Sequence, residues 1–146
     1  MKKGVLFFSI IAVLIIVSCG ANNPLSTTKS TTLTTNVYVS GYVPSSTACY
    51  WKDGVKTDLD SMGYAAYMFV SGSDVYTAGL YSTVGEQVAC YWKNSSRVRL
   101  GVEGTGKASE ANRVFVTNDN VFLCGYSNNG TTDIACYWSN NVKTDL

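Results

Sequence analysis

The sequence contains no histidine. Histidine is the side chain that most often acts as a general base near neutral pH, and it is also the most common metal ligand. Its absence therefore disfavours enzymes that use a histidine base and metal sites that use imidazole. The chain also lacks a Cys-x-x-Cys pair and a glycine-rich phosphate loop between a strand and a helix. We therefore expect no catalytic residues, no metal site and no cofactor, and we do not expect an enzyme.

Charged residues are also scarce. They make up 14% of the chain, and the formal net charge at pH 7 is +1. A protein that binds nucleic acid normally carries a basic patch or stripe, because it must neutralise phosphates. No such patch is present, so we expect no nucleic-acid partner.

The N-terminus carries a short positive segment, Lys2 and Lys3, followed by an apolar run of 13 residues, Val5–Val17. A membrane-spanning helix needs about 20 residues, so this run has the length of a secretory signal peptide instead. Its end, "IVSC" at Ile16–Cys19, resembles the lipobox of bacterial lipoproteins. The resemblance implies cleavage before Cys19 and lipidation of that cysteine. An ordinary signal peptide or a signal anchor is the alternative.

This interpretation divides the chain into three parts. Residues 1–18 are the signal peptide, residues 19–36 are a Ser/Thr-rich tether, and residues 37–146 form a repeat domain. The expected location is the bacterial cell envelope, facing the periplasm or the exterior. Gly20 follows the cysteine where the inner-membrane retention signal has aspartate, so an outer membrane is expected where the cell has one.

The repeat domain is recognised by two short motifs. The first is "VYVSGY" at Val37, "VYTAGL" at Val75 and "VFLCGY" at Val121, and the second is "ACYW" at Ala48, Ala89 and Ala135. The cysteines of the second motif are 41 and 46 residues apart. The length difference falls between motifs, as expected for loops. A fixed period of this size predicts repeated supersecondary units.

Each unit is expected to form four antiparallel strands. The turns have the required residues: Asp53-Gly54 and Asn140-Asn141 suit a type I′ hairpin, which needs positive φ. The third strand, "VACYW", is apolar without alternation. A strand of this kind must be buried on both faces, which predicts a sheet packed between two others.

A period of 41–46 residues with four strands is typical of a β-propeller blade. The units resemble those of bacterial lipoproteins built from β-propeller-type repeats, over Val37 to Leu146. The resemblance implies an all-β fold of about three blade-like units, the first without a clear first strand. Closed propellers typically have 4–8 blades. We therefore expect a partial or truncated propeller, an open stack, or several copies that associate through their end sheets.

The cysteines of the second motif, Cys49, Cys90 and Cys136, are expected one in each sheet. Neighbouring sheets lie about 10 Å apart, which is too far for the three sulfurs to share one metal ion. Cys124 breaks the repeat. A hairpin turning near Asn129-Gly130 would place it opposite Cys136, which allows a disulfide outside the cytoplasm. Two packed thiols are the alternative, because cross-strand disulfides are strained.

The aromatic residues of the "ACYW" motif invite comparison with a carbohydrate-binding ladder. Their recurrence in each unit favours packing between sheets instead. The sequence therefore predicts a lipid-anchored binding or scaffolding module with a protein or glycan ligand. The alternative is a truncated fragment of a larger propeller protein, such as a hydrolase or receptor, without activity of its own.

Overall fold

The described residues form three antiparallel β-sheets of four strands each. The computed structural model describes residues 9–11, 35–44, 46–101 and 108–146, and of these residues 9–11 by their backbone alone. Sheet 1 contains β1 (Ser9–Ile11), β2 (Tyr38–Val43), β3 (Thr47–Lys52) and β4 (Val55–Asp60). Sheet 2 contains β5 (Gly63–Ser71), β6 (Asp74–Thr83), β7 (Glu86–Lys93) and β8 (Ser96–Arg99). Sheet 3 contains β9 (Ser109–Thr117), β10 (Asn120–Asn128), β11 (Asp133–Ser139) and β12 (Val142–Asp145).

Each repeat unit corresponds to one sheet, and its strands are neighbours in the order of the sequence. The all-β, repeated architecture is thus confirmed. The first strands of sheets 2 and 3 are nine residues long each, with β5 beginning at Gly63 and β9 at Ser109. Sheet 1 takes its first strand from residues 9–11, within the predicted signal peptide, and pairs it with Tyr38–Ser40.

The hairpin turns between the third and fourth strands have the predicted geometry. Asp53 and Gly54 have φ angles of 51° and 81°, and Asn140 and Asn141 have 47° and 72°. The first turn residue also holds the second strand of its sheet. The side chains of Asp53, Asn94 and Asn140 accept hydrogen bonds from the backbone N–H of Val37, Val75 and Val121, at 2.8, 3.0 and 3.0 Å. In each sheet the turn side chain thus hydrogen-bonds the first residue of the first motif, which holds the hairpin against the second strand.

Sheet 2 lies between the other two sheets. One apolar cluster joins it to sheet 1 through Ala48, Tyr81 and Trp92, and another joins it to sheet 3 through Tyr91 and Trp138, among others. All five residues of "VACYW" in β7 are buried, which confirms the prediction that this strand is covered on both faces. Trp92 and Trp138 are fully buried, so these two aromatic residues pack the core.

The glycine of the first motif is required by a close approach between strands. β5 and β9 each contain a β-bulge, and at the bulge the carbonyl oxygen of Tyr64 lies against Gly79 and that of Glu110 against Gly125. A Cβ atom at either glycine would overlap that oxygen. The equivalent Gly41 of sheet 1 differs, because a Cβ there would lie 3.5 Å from Cζ3 of Trp51, an ordinary contact.

Candidate functional site

A cleft of about 450 Å³ lies at the strand ends on one side of all three sheets. The repeat itself builds it. Tyr42, Leu80 and Tyr126 each follow the glycine of the first motif, and all three line the cleft. Tyr64 and Glu110, which hold equivalent positions on β5 and β9, line it as well. The cleft therefore combines the same two repeat positions from successive sheets.

These positions converge because of the bulges. The backbone carbonyls of Tyr64 and Glu110 are pressed against Gly79 and Gly125, which fixes where the two side chains leave their strands. Bulges commonly redirect a side chain in this way at functional sites. The repeat signal for these positions is therefore the residue that follows each motif glycine, together with the residue opposite it on the preceding strand.

The aromatic part of the cleft is formed by Tyr42 and Tyr64. Their ring centroids are 5.3 Å apart with planes inclined by 56°. The two side chains remain 42% and 39% exposed, so each ring offers surface to a ligand. Burial of the phenol raises the pKa of Tyr64, and the negative charge of Glu110 raises it further. Tyr64 thus stays neutral at physiological pH, and both rings can stack on a ligand or face a cation.

Glu110 is the charged residue among the described residues that line the cleft. Its side chain is half-buried, and burial raises the pKa of the carboxyl above its usual value. The hydroxyl of Tyr126 hydrogen-bonds the carboxylate and partly opposes that shift. None of the ion pairs among the described residues includes Glu110. A half-buried carboxylate in an open cleft, without a cationic partner in the described part of the chain, favours a ligand that carries positive charge.

The cysteines of the "ACYW" motif lie away from this cleft. Cys49, Cys90 and Cys136 occupy one sheet each, as predicted, and are 0%, 0% and 1% exposed. Burial raises the pKa of all three thiols, which makes them poor nucleophiles. Within the described residues, no group of three or more Cys, Asp or Glu side chains is arranged to hold a metal ion.

The predicted pairing of Cys124 with Cys136 is wrong by one residue. The structure places Cys124 opposite Tyr137 and Cys136 opposite Gly125. Since side chains alternate between faces, the two cysteines point to opposite sides of sheet 3, and both are free thiols. The hairpin loop covers four residues, 129–132, rather than turning at Asn129-Gly130. The repeat contains the correct register, because each motif glycine pairs with the motif cysteine in all three sheets.

Cys124 instead belongs to an exposed apolar surface. We call this surface the outer face of sheet 3 and define it by Phe115, Phe122, Cys124 and Tyr137. The three aromatic residues are 53%, 38% and 39% exposed, and Cys124 is exposed as well. Phe115 also contacts Phe69 of sheet 2, with ring centroids 5.3 Å apart. Sheet 3 lies at one end of the stack of sheets, and this is the face that points away from sheet 2.

Comparisons with protein-family models, with curated proteins and with solved structures find no match for this chain. Across the described ranges, no helix is long and apolar enough to cross a membrane. The function must therefore be argued from the cleft and the sequence motifs.

Proposed function

We propose that this protein is a lipid-anchored binding module of the bacterial cell envelope, with propeller-type stacking of its sheets. Cys19 would carry the lipid, and the cleft at the strand ends of the three sheets would bind the ligand. The observation that carries the proposal is the pairing of exposed tyrosine rings with a half-buried carboxylate in one cleft. Among the described residues that line the cleft, the other titratable side chains are tyrosines, which argues for binding rather than for acid–base catalysis.

The ligand that this cleft fits best carries an organic cation, such as the ammonium group of a lysine side chain or of choline. Tyrosine rings attract cations through their electron-rich faces, by about 0.5–1 kcal/mol each at exposed sites. Glu110 supplies the opposite charge, and a cation beside it would offset the cost of its partial burial. A neutral glycan could stack on the same rings, but it would not offset the free-energy cost of partly burying the Glu110 carboxylate.

Calorimetric titration with choline tests this proposal. Choline is expected to bind the protein, and Glu110→Gln is expected to weaken binding about tenfold or more, since a charged contact is worth about 1.5–3 kcal/mol. Asp119→Asn is the matched control. It removes one negative charge from the turn at the opposite end of β9, and it should leave binding unchanged.

The affinity for a cation is expected to fall as the pH is lowered. The ionised form of Glu110 binds a cation and the protonated form does not, so affinity falls as pH drops through the pKa of this carboxyl. Because burial raises that pKa, the loss begins at a higher pH than for an ordinary glutamate. Unchanged choline affinity in Glu110→Gln, or binding of a neutral disaccharide without binding of choline, would contradict the cation proposal.

The proposed anchor rests on the sequence motif at Ile16–Cys19. Processing at this site would remove the strand Ser9–Ile11 and leave the edge of β2 without that partner. The residues of the cleft come from β2 onward, so the binding site would be retained in the processed chain.

A further inference from the structure

We propose that a second groove of the molecule binds a small aromatic carboxylate. We call it the β9 groove. It has a volume of about 310 Å³ and is lined by residues of β5, β9 and β10. The described residues that line it are all different from those that line the cleft, so this inference does not depend on what the cleft binds.

The wall of the β9 groove is mainly aromatic. Tyr67 and Phe69 come from β5, Phe115 from β9 and Phe122 from β10. Phe115 and Phe122 are 53% and 38% exposed, so both rings offer surface to a ligand. The rings of Phe69 and Phe115 already meet edge to face, with centroids 5.3 Å apart and planes inclined by 67°. An aromatic ring is the apolar group that such a wall binds best, because aromatic pairs gain more than the buried area alone.

The repeat places a positive charge beside these rings. Arg113 holds on β9 the position that Tyr67 holds on β5, opposite the residue that precedes the motif glycine. Its guanidinium carbon lies 4.8 Å from the ring centroid of Tyr67, and its Nη1 donates a hydrogen bond to the backbone carbonyl of Asn112 at 2.9 Å. These two contacts hold the guanidinium at the groove before a ligand arrives, which lowers the entropic cost of binding.

A comparison with Arg97 shows which group Arg113 would bind. Arg97 also lies over a tyrosine ring, 3.8 Å from the centroid of Tyr81, and it pairs with the carboxylate of Asp60. None of the ion pairs within the described part of the chain includes Arg113. A guanidinium binds a carboxylate through two parallel hydrogen bonds. A ligand carboxylate would therefore supply at Arg113 what Asp60 supplies at Arg97.

The size of the groove limits the ligand. Ligand pockets usually have volumes of about 300–1,000 Å³ and combine apolar walls with a few placed polar groups. The β9 groove lies at the lower end of this range. It therefore suits a single ring with a short acidic arm, and phenylacetate is the probe that we would use.

Protection of Cys124 from iodoacetamide measures binding at this groove, because the thiol lines the groove and is exposed. The full chain is placed in phosphatidylcholine vesicles, and mass spectrometry assigns the alkylated peptide. Phenylacetate is expected to slow the alkylation of Cys124. Phenylacetamide has nearly the same shape without the charge, and it should need about a tenfold higher concentration for the same effect, since charge-assisted hydrogen bonds are stronger than neutral ones.

Three outcomes of this experiment would overturn the proposal. Absence of protection by phenylacetate would remove the site. Equal protection by phenylacetamide would show that no carboxylate is recognised. Equal protection by cyclohexylacetate, whose ring is saturated, would overturn the assignment of an aromatic ligand.

Arg113→Gln tests the residue that carries the charge. It is expected to raise the phenylacetate concentration for half-maximal protection about tenfold and to leave that of phenylacetamide unchanged. Arg97→Gln is the matched control, because it removes the same group from a tyrosine ring outside the groove and should change neither value. The buried Cys90 and Cys136 report on folding in the same experiment, since they are alkylated only where a variant unfolds.

Phe122→Ala tests the aromatic wall independently of the charge. It should weaken protection by phenylacetate and by phenylacetamide to the same extent, because it removes a ring that both ligands contact. Wild-type protection by phenylacetate in either Arg113→Gln or Phe122→Ala would contradict the proposed site.

Discussion

Replacing Gly79 with alanine is expected to destabilise the protein by about 3 kcal/mol or more, whereas the same change at Gly41 should cost less than about 1 kcal/mol. The two glycines occupy the same position of the first motif. A Cβ at Gly79 would overlap the carbonyl oxygen of Tyr64, which belongs to the backbone and can move only if β5 moves. A Cβ at Gly41 would make an ordinary contact with Trp51.

Gly125→Ala should behave like Gly79→Ala, because the carbonyl oxygen of Glu110 lies in the same relation to Gly125. Urea denaturation followed by tryptophan fluorescence measures the free energies of unfolding. The bulges also direct Tyr64 and Glu110 into the cleft. Gly79→Ala and Gly125→Ala should therefore weaken ligand binding as well. Similar free energies of unfolding for Gly79→Ala and Gly41→Ala would show that the bulge of β5 is not the reason for the glycine.

Cys19→Ala is expected to abolish lipid labelling and to shift the protein out of the membrane fraction. A lipoprotein terminus with several acyl chains stays bound, because each buried CH₂ contributes about 0.8 kcal/mol and two lipid signals suffice for stable anchoring. Without the sulfur of Cys19 there is no atom to receive the first lipid.

Metabolic labelling with radioactive palmitate measures this effect. Cys124→Ala serves as the control, because it removes another cysteine that lies on an exposed face, and it should keep full label. Equal label in the wild type and in Cys19→Ala would contradict the anchor and would favour the ordinary signal peptide.

The division of the chain into sheets could be predicted because it depends on local patterns. The recurrence of "ACYW" located the third strand of each unit, and the residues at Asp53-Gly54 and Asn140-Asn141 specified their turns. The absence of alternation in "VACYW" correctly indicated burial on both faces. Each of these inferences uses residues that are neighbours in sequence or hold equivalent repeat positions.

The register of sheet 3 and the cleft were harder to predict. A change of one residue in the length of a hairpin loop moves every side chain of the following strand to the opposite face of the sheet. A turn centred on Asn129-Gly130 predicts Cys136 opposite Cys124, whereas the structure has Tyr137 there. The cleft depends on how whole sheets stack. Tyr42, Tyr64 and Glu110 belong to three different sheets, and nothing local in the sequence says that their side chains meet. The first strand of sheet 1 also came from an unexpected part of the chain.

The central claim is that the repeated cysteines pack the sheets and take no part in chemistry, while the off-pattern Cys124 is exposed. Reaction of the native protein with a thiol reagent such as Ellman's reagent, with mass spectrometry to assign the modified peptide, tests this claim directly. One thiol of the fold, Cys124, should react quickly, while Cys49, Cys90 and Cys136 react only after unfolding. Rapid reaction of Cys136 in the native state, or reaction of Cys124 only after reduction, would contradict the register and the packing described above.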